Sequence, residues 1–357
     1  MKKQQEHRRI IFDLNHPADF HFFKHLMNHM EQKGYSIKVF ARDKECLHML
    51  LDNAGISYIS RGRGKHTLAG KYFYAIWILL VLTVALIRFR PTVAISLSSP
   101  YLAVLSHLLG ITCVTYDDTD INPRLLPLIR QSTYLISPVT YPYKFHKRHF
   151  LLPAMKELAY LHPNKFQNKK EKSGVFLRVT RTDSIHHSSA SKLDLGAVDI
   201  YMDKLSQTQT IYLSAEMDFG LGRNPSIKLA DPLDIHKQLA SCRVFWGNSA
   251  TMAAEAAVLG VPAIIVSAEE FAYLKELESY GLLFYYHPEN ILDSFNKLAS
   301  ILNGDPPESH FMKSRDSLVR EKMDMTDFLI WFLENLPQSA EILGKDPEYT
   351  QRFISSF

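Results

Sequence analysis

Cysteine is scarce in this chain: three in 357 residues, scattered at Cys46, Cys113 and Cys242. No two have the spacing of a zinc site, and an odd, dispersed set does not make a disulfide framework. Free thiols in a reducing compartment are expected. An excess of one charge is missing too, with 41 Lys and Arg against 37 Asp and Glu, net +4. A protein that tracks nucleic-acid phosphates concentrates far more cation on one face. The opening "MKKQQEHRRIIFDLN" lacks a signal peptide, since the few apolar residues after its basic start read as a strand. There is no short-period repeat and no low-complexity tract. "RGRGK" (61–65) does not have the spacing of a P-loop.

What is present is globular. Apolar residues make up 46% and charged residues 22%, and the length fits two domains better than one core. The first half alternates short apolar runs with helical patterns. Strands are expected at 9–15, 36–41, 56–60, 93–98, 112–117 and 133–137. Helices are expected from Pro17 to about Lys33, over 43–54, 100–109 and 123–131, with Gly34, Gly55 and Gly110 as stops. Prolines and the run "NKFQNKKEKSG" mark a boundary in 138–172. Alternation then resumes, with strands at 174–180, 210–215, 226–229, 243–247, 263–267 and 282–286. Helices are expected at about 189–206, 231–241, 269–280 and 289–303, and an aromatic-rich one at 324–335. For helix 231–241, Asp231 reads as the N-cap and Pro232 as the first helical residue. The order predicts two doubly wound parallel sheets with a ligand cleft between them. The expected domains are 1–160 and 161–335, with 336–357 as a tail.

Segment 72–89, "YFYAIWILLVLTVALIRF", carries no charge from Tyr72 to Ile87. At about 1.5 Å per residue that run reaches roughly 24 Å, short of the ~30 Å hydrocarbon core. Its place between two strands of one sheet also argues against a span. A helix buried in the core and an in-plane helix on a membrane surface both remain open. The second is suggested by Arg61, Arg63, Lys65, His66, Lys71, Arg88 and Arg90 around it.

The stretch "WGNSATMAAEAAVLGVP" (246–262) carries the most chemistry. Strand 243–247 ends where ligands collect in a doubly wound sheet. Asn248, Ser249, Ala250 and Thr251 then offer backbone amides and hydroxyls at the positive end of a helix, which suits a diphosphate. The small Ala250 lets that backbone come close. Glu255, one turn after Thr251, is placed to accept from ribose hydroxyls. An alanine-rich packed helix with an incidental cap reads the same spacing.

This segment and the overall layout resemble the GT-B glycosyltransferases. The segment is similar to the donor-binding helix of MurG-type N-acetylglucosaminyltransferases and of non-hydrolysing UDP-N-acetylglucosamine 2-epimerases. The whole chain resembles an uncharacterised GT-B-like family through "FDLNHPADFHFFKHL", "ARDK", "SLSSPY", "YDDTD", "KELAYLHPN", "DPLDIHKQLA", "GNSATMAAEAAVLGVPAI" and "TDFLIWFLENLP". The resemblance implies two Rossmann-like domains facing a central cleft, with the final helix crossing back to the first. Segment 72–89 departs from it, being far more apolar than the amphipathic helix usual there.

The resemblance makes His16, in the loop after the first strand, a candidate base or phosphate contact, with Asn15 and His21 near it. His25 and His29 have helical metal-ligand spacing but no third ligand. After strand 174–180, Arg178, Arg181, Asp183, His186 and His187 crowd one loop. Arg178 suits a leaving diphosphate, and His186 loosely resembles an epimerase catalytic position. Structural salt bridging explains Arg178 equally. Glu216 is a candidate for holding base or sugar. Ser98 and Ser99, at a helix start, could bind acceptor or phosphate. Asp117 and Asp118 could bind sugar hydroxyls, act as a base, or simply cap a helix. Lys156, Tyr160 and His162 lie near the domain junction.

The leading expectation is a metal-independent enzyme that takes a UDP-sugar as co-substrate, with no cofactor, and glycosylates an envelope or lipid-linked acceptor. His16 or Asp118 would take the acceptor proton, and Arg178 would offset leaving-group charge. The alternatives are a 2-epimerase-like isomerase and a non-catalytic nucleotide-sugar-binding protein. The expected compartment is the cytoplasm, with peripheral contact at the inner membrane face left open.

Overall fold

The computed structural model describes residues 8–65, 67–118, 125–168, 170–180, 193–216 and 226–354. Its chain divides into two compact units: Met1–Tyr160 with Lys322–Ser355, and Leu161–Glu321 with the last two residues.

The first unit runs β1 (Arg9–Leu14), α1 (Pro17–Gln32), β2 (Ser36–Ala41), α2 (Leu47–Asn53), β3 (Tyr58–Ser60), α3 (Leu68–Phe89), β4 (Val93–Leu97), α4 (Pro100–Leu108), β5 (Thr112–Tyr116), α5 (Leu126–Ile129), β6 (Tyr134–Pro138) and β7 (His149–Leu152). The sheet order is β3-β2-β1-β4-β5-β6-β7, and every pair is parallel. The direction of winding reverses between β1 and β4. Phe12 of β1 meets Phe23 of α1 edge-on at 5.4 Å, and Phe22 packs on Tyr116 of β5 at 5.1 Å. These contacts fix α1, and so the loop that starts it, on the sheet.

In the second unit come β8 (Val175–Val179), α6 (Leu195–Ser206), β9 (Ile211–Ala215), β10 (Ile227–Leu229), α7 (Ile235–Ala240), β11 (Val244–Gly247), α8 (Ala250–Val258), β12 (Ala263–Val266), α9 (Ala272–Ser279), β13 (Leu283–Tyr286), α10 (Ile291–Leu302) and α11 (Glu308–Glu321). The order β10-β9-β8-β11-β12-β13, again all parallel, reverses between β8 and β11. The two doubly wound sheets expected from the sequence are present. Trp246 of β11 is fully buried, stacks on Phe295 at 5.3 Å, and donates Nε1–H to Ser294 Oγ at 3.0 Å. That anchor fixes the end of β11 two residues before the turn into α8.

Several details differ from the sequence expectation. The stretch read as a boundary holds β7, a seventh strand paired to β6. The helix expected from 231 begins at Ile235, because the Asp231 carboxylate accepts the Leu233 amide in a turn at 2.9 Å. α11 was not expected. It covers the end of α8, where Lys172 Nζ donates to the Gly260 carbonyl at 2.6 Å. Gly260 sits at φ +69, and an added Cβ would lie 2.7 Å from Met312 Sδ of α11. The chain then returns through α12 (Met325–Glu334) and α13 (Gln338–Lys345) to the first unit. Phe332 of α12 meets Tyr134 of β6 and Phe150 of β7 edge-on, at 5.6 and 6.1 Å, and Thr326 Oγ1 donates to the Ala159 carbonyl at 2.6 Å. The domain bound at 335 places this aromatic helix with the second unit; it packs in the first instead, the crossing back that the resemblance implies.

Candidate functional site

Each unit presents a switch point at the carboxyl ends of its central strands, and most of the singled-out residues gather at these two places. In the second unit, Gly247 ends β11 opposite Arg178 of β8. A Cβ at Gly247 would lie 2.2 Å from the Arg178 carbonyl oxygen, so only glycine allows the strands this approach. Asn248 then ties the two strand ends together. Its Oδ1 accepts the Thr180 amide at 2.7 Å and hydroxyl at 3.1 Å, and its Nδ2 donates to the Thr180 carbonyl at 3.1 Å. The Asn248 side chain is thus spent on the frame of the site. Ser249 is the N-cap of α8, its hydroxyl accepting the Met252 amide at 3.5 Å. The next two amides, of Ala250 and Thr251, head the helix and have no partner within it by helix geometry. Both residues are half-buried.

Arg178 reaches across β8 to β9. Its Nη1 donates to Ser214 Oγ at 2.9 Å and its Nη2 to Glu216 Oε1 at 2.8 Å, with the Arg178 side chain 14% exposed. The two-pronged contact fixes the plane of the guanidinium. Glu255 lies one turn into α8 and is 4% exposed. Its Oε1 meets His236 Nε2 of α7 at 3.1 Å, a partner the sequence reading missed. The carboxylate is therefore oriented from within the fold and does not stand open on the helix surface. Arg181, Asp183, His186 and His187 lie outside the described residues.

In the first unit, the switch point is built on a buried ion pair that the sequence reading also missed. Asp13 of β1 and Arg61 after β3 are 0% and 2% exposed, with Arg61 Nη1 at 2.9 Å from the Asp13 carboxylate. Burial raises the Asp13 carboxyl, against the pull of the Arg61 charge and the Ser99 hydroxyl. Arg61 Nη2 also donates to Asn15 Oδ1. Ser99 caps α4, and its hydroxyl donates to Asp13 Oδ2 at 2.5 Å while accepting the Leu102 amide. Fully buried, Ser99 belongs to this frame and presents nothing to a ligand. The Asn15 amide donates to Asp19 Oδ2 at 2.7 Å. Burial raises the Asp19 carboxyl to about 6, opposed by that amide.

His16 is the N-cap of α1. Its Nδ1 accepts the Ala18 amide at 3.2 Å, and its Nε2 faces Glu45 Oε1 at 3.4 Å. With Nδ1 an acceptor, the neutral ring carries its proton on Nε2. To act as a base, His16 has to release its cap. His21 lies inside, 9% exposed and stacked on Tyr160 at 5.5 Å. Ser98 sits at φ 49, rare for a residue with a Cβ. That conformation sets Ser98 Oγ 2.6 Å from Asp117 Oδ1, while the Tyr141 hydroxyl donates to Asp117 Oδ2 at 2.6 Å. Asp118 accepts from Lys156 Nζ at 2.8 Å. His162, buried in the second unit, accepts the Asn164 amide in a local turn. Among the described residues no three His, Cys, Asp or Glu side chains form a metal-binding group, and His29 pairs with Glu334 at 3.2 Å.

No protein-family model matches the chain, and no curated protein is similar to it. Solved structures are. The glycotransferase of kitacinnamycin superposes with a TM-score of 0.62 at 13% identity, over 92% of this chain and 99% of that one. The spinosyn rhamnosyltransferase SpnG complexed with thymidine diphosphate gives 0.58 at 14%, over 92% and 100%. The UDP-GlcNAc 2-epimerase from Neisseria meningitidis bound to UDP-GlcNAc gives 0.61 at 10%, over 92% and 100%. At these identities the likeness establishes the fold: two Rossmann-like parallel-sheet units of the GT-B class.

Proposed function

We propose that this GT-B-fold chain is a glycosyltransferase that binds a nucleoside-diphosphate sugar, a UDP-sugar in the first instance, on its second unit. The observation that carries the reading is the pairing at the β8/β11 switch point. The leading amides of α8 stand beside a strand end whose Arg178 guanidinium is held in one plane. A diphosphate needs both: amides at a helix's positive end, and a fixed cation to offset charge as the bond to the sugar breaks. Two neighbours of the same fold hold such ligands, one thymidine diphosphate and one UDP-GlcNAc. We assign the diphosphate to Ser249, Ala250, Thr251 and Arg178, and the ribose to Glu255, oriented by His236. Glu216 fixes Arg178 here, and Asn248 fixes the turn.

Acceptor handling is assigned to the first unit, through Ser98 and Asp118, while Asp117, buried and held by Ser98 and Tyr141, and Asn15, held by Arg61, frame the site. Of the two candidate bases, Asp118 keeps its carboxylate beside Lys156, whereas His16 gains a basic nitrogen only by giving up its helix cap. The reading invokes no metal or cofactor. The acceptor is assigned to the lipid-linked or envelope class, on the strength of the apolar helix α3.

Calorimetry with UDP, thymidine diphosphate and UDP-GlcNAc tests the donor site. Binding of at least one is expected, weakened at least about ten-fold by Arg178→Ala. If none binds, the reading is lost. The likeness to the epimerase keeps isomerisation as a second reading. Solvent deuterium appearing at C2 of a bound UDP-GlcNAc supports it, and sugar transfer without such exchange rejects it.

A further inference from the structure

Helix α3 has two unlike sides. Ile78, Leu82, Ala85 and Leu86 pack on Ile11 of β1, Phe40 of β2 and the apolar side of α4. The other side exposes Tyr72 (69%), Phe73 (71%), Trp77 (58%), Leu80 (58%), Val84 (48%) and Ile87 (55%). Steps of three and four residues bring Phe73, Trp77, Leu80, Val84 and Ile87 onto one stripe, with Tyr72 beside its start. Only 22% of the helix's most apolar window is buried, too little for a core helix. Its three aromatic side chains, about two-thirds exposed at ~150–250 Å² each, alone amount to about 300–500 Å², the size of the largest patch on a typical monomer, before Leu80, Val84 and Ile87 are added.

Charge identifies what covers it. From Leu68 to Arg90 there is no Asp or Glu. Exposed cations stand at both ends: Lys65 and Lys71 at the start, Arg88 and Arg90 at the finish. Lys38 Nζ and the Arg9 guanidinium lie 4.8 and 5.9 Å from the Phe89 ring. A second copy laid on this stripe, parallel or antiparallel, brings cation against cation. Anionic lipid headgroups meet cations at both ends and an apolar strip between them. The helix also joins β3 to β4, two strands of one sheet, and its inner side is packed on that sheet. It can lie along a bilayer but cannot cross one.

We propose that α3 docks the first unit on an anionic membrane surface, lying in the interface plane with Phe73, Trp77 and Leu80 among the acyl chains and the flanking cations at the headgroups. The inference rests on α3 alone and does not depend on the donor site.

The full chain is floated with vesicles of mixed phosphatidylglycerol and phosphatidylcholine, and with phosphatidylcholine alone, at low and high salt. Trp77 serves as the reporter in a Trp331→Phe background, since Trp246 is fully buried and Trp331 is half-buried against Tyr349. Flotation with the anionic vesicles, weakened by salt, is expected, together with fluorescence quenching by brominated lipid. Lys71→Ser and Arg88→Ser should each weaken binding about five-fold. Phe73→Ser combined with Trp77→Ser and Leu80→Ser should abolish it without changing the circular dichroism, because the packed side is untouched. Absence of flotation overturns the proposal. So does binding indifferent to lipid charge, or a concentration-dependent dimer that the triple variant dissolves while vesicles stay unbound.

Discussion

Replacing Asp19 by Asn should stabilise the chain at neutral pH and do progressively less as the pH falls. Asp19 is 5% exposed, and its carboxyl ionises at about 6 where an ordinary aspartate ionises at 3.8. Its folded value is raised, so its contribution to stability is fully present below pH 3.8 and is lost as the pH rises through about 6. At about 1.4 kcal/mol per pH unit, the gap amounts to about 3 kcal/mol. An asparagine carries no charge to desolvate and can still accept the Asn15 amide through Oδ1. Thermal unfolding of both forms, from below pH ~4 to above pH ~7, isolates the effect, because every other titrating group is common to the two. The Asn form should gain about 6–12 °C relative to the parent across that range, at about 2–4 °C per kcal/mol for a unit of this size. A difference that does not change with pH refutes the reasoning, and so does one that grows toward acid.

Other outcomes follow from the same frame. Arg61→Ala leaves Asp13 buried without its partner and should cost about 3–5 kcal/mol in denaturant unfolding. Arg61→Met combined with Asp13→Asn should recover most of it. Gly247→Ala drives a Cβ into the Arg178 carbonyl and should cost about 1–3 kcal/mol. It should also weaken UDP binding in calorimetry, and unchanged affinity would separate that turn from the donor site. Arg178→Lys keeps the charge but loses the fork to Ser214 and Glu216. It should weaken UDP binding about ten-fold, with little change in melting temperature.

The strands at both switch points are legible in the sequence because each is a short apolar run closed by polar or small residues. Pro17 and Pro100 as first residues of α1 and α4, and Ser99 and Ser249 as caps of α4 and α8, mark the helix starts. The partners that complete each site are not legible, since they come from distant positions. Asp13 and Arg61 are 48 residues apart, and His236 and Glu255 are 19 apart. An aspartate inside an apolar strand was the available signal for the first pair, and it does not name its partner. β7 is four residues long, in a proline-rich stretch. α11 buries only Phe311, Leu318 and Val319 in fourteen residues, so its pattern reads as solvated. For α3, periodicity could not separate core from surface because every face is apolar. Packing on one side decided it.

The return of α12 to the first unit bears on how the protein is made. Tyr134 and Phe150 gain the ring of Phe332 only after 161–321 have been translated. At ~5–20 residues per second, the N-terminal sheet waits on the order of ten to thirty seconds for its covering helix. During that interval the later unit, one continuous stretch, can complete itself first. A released chain ending before Met325 should therefore show a protease-sensitive beginning and a resistant middle.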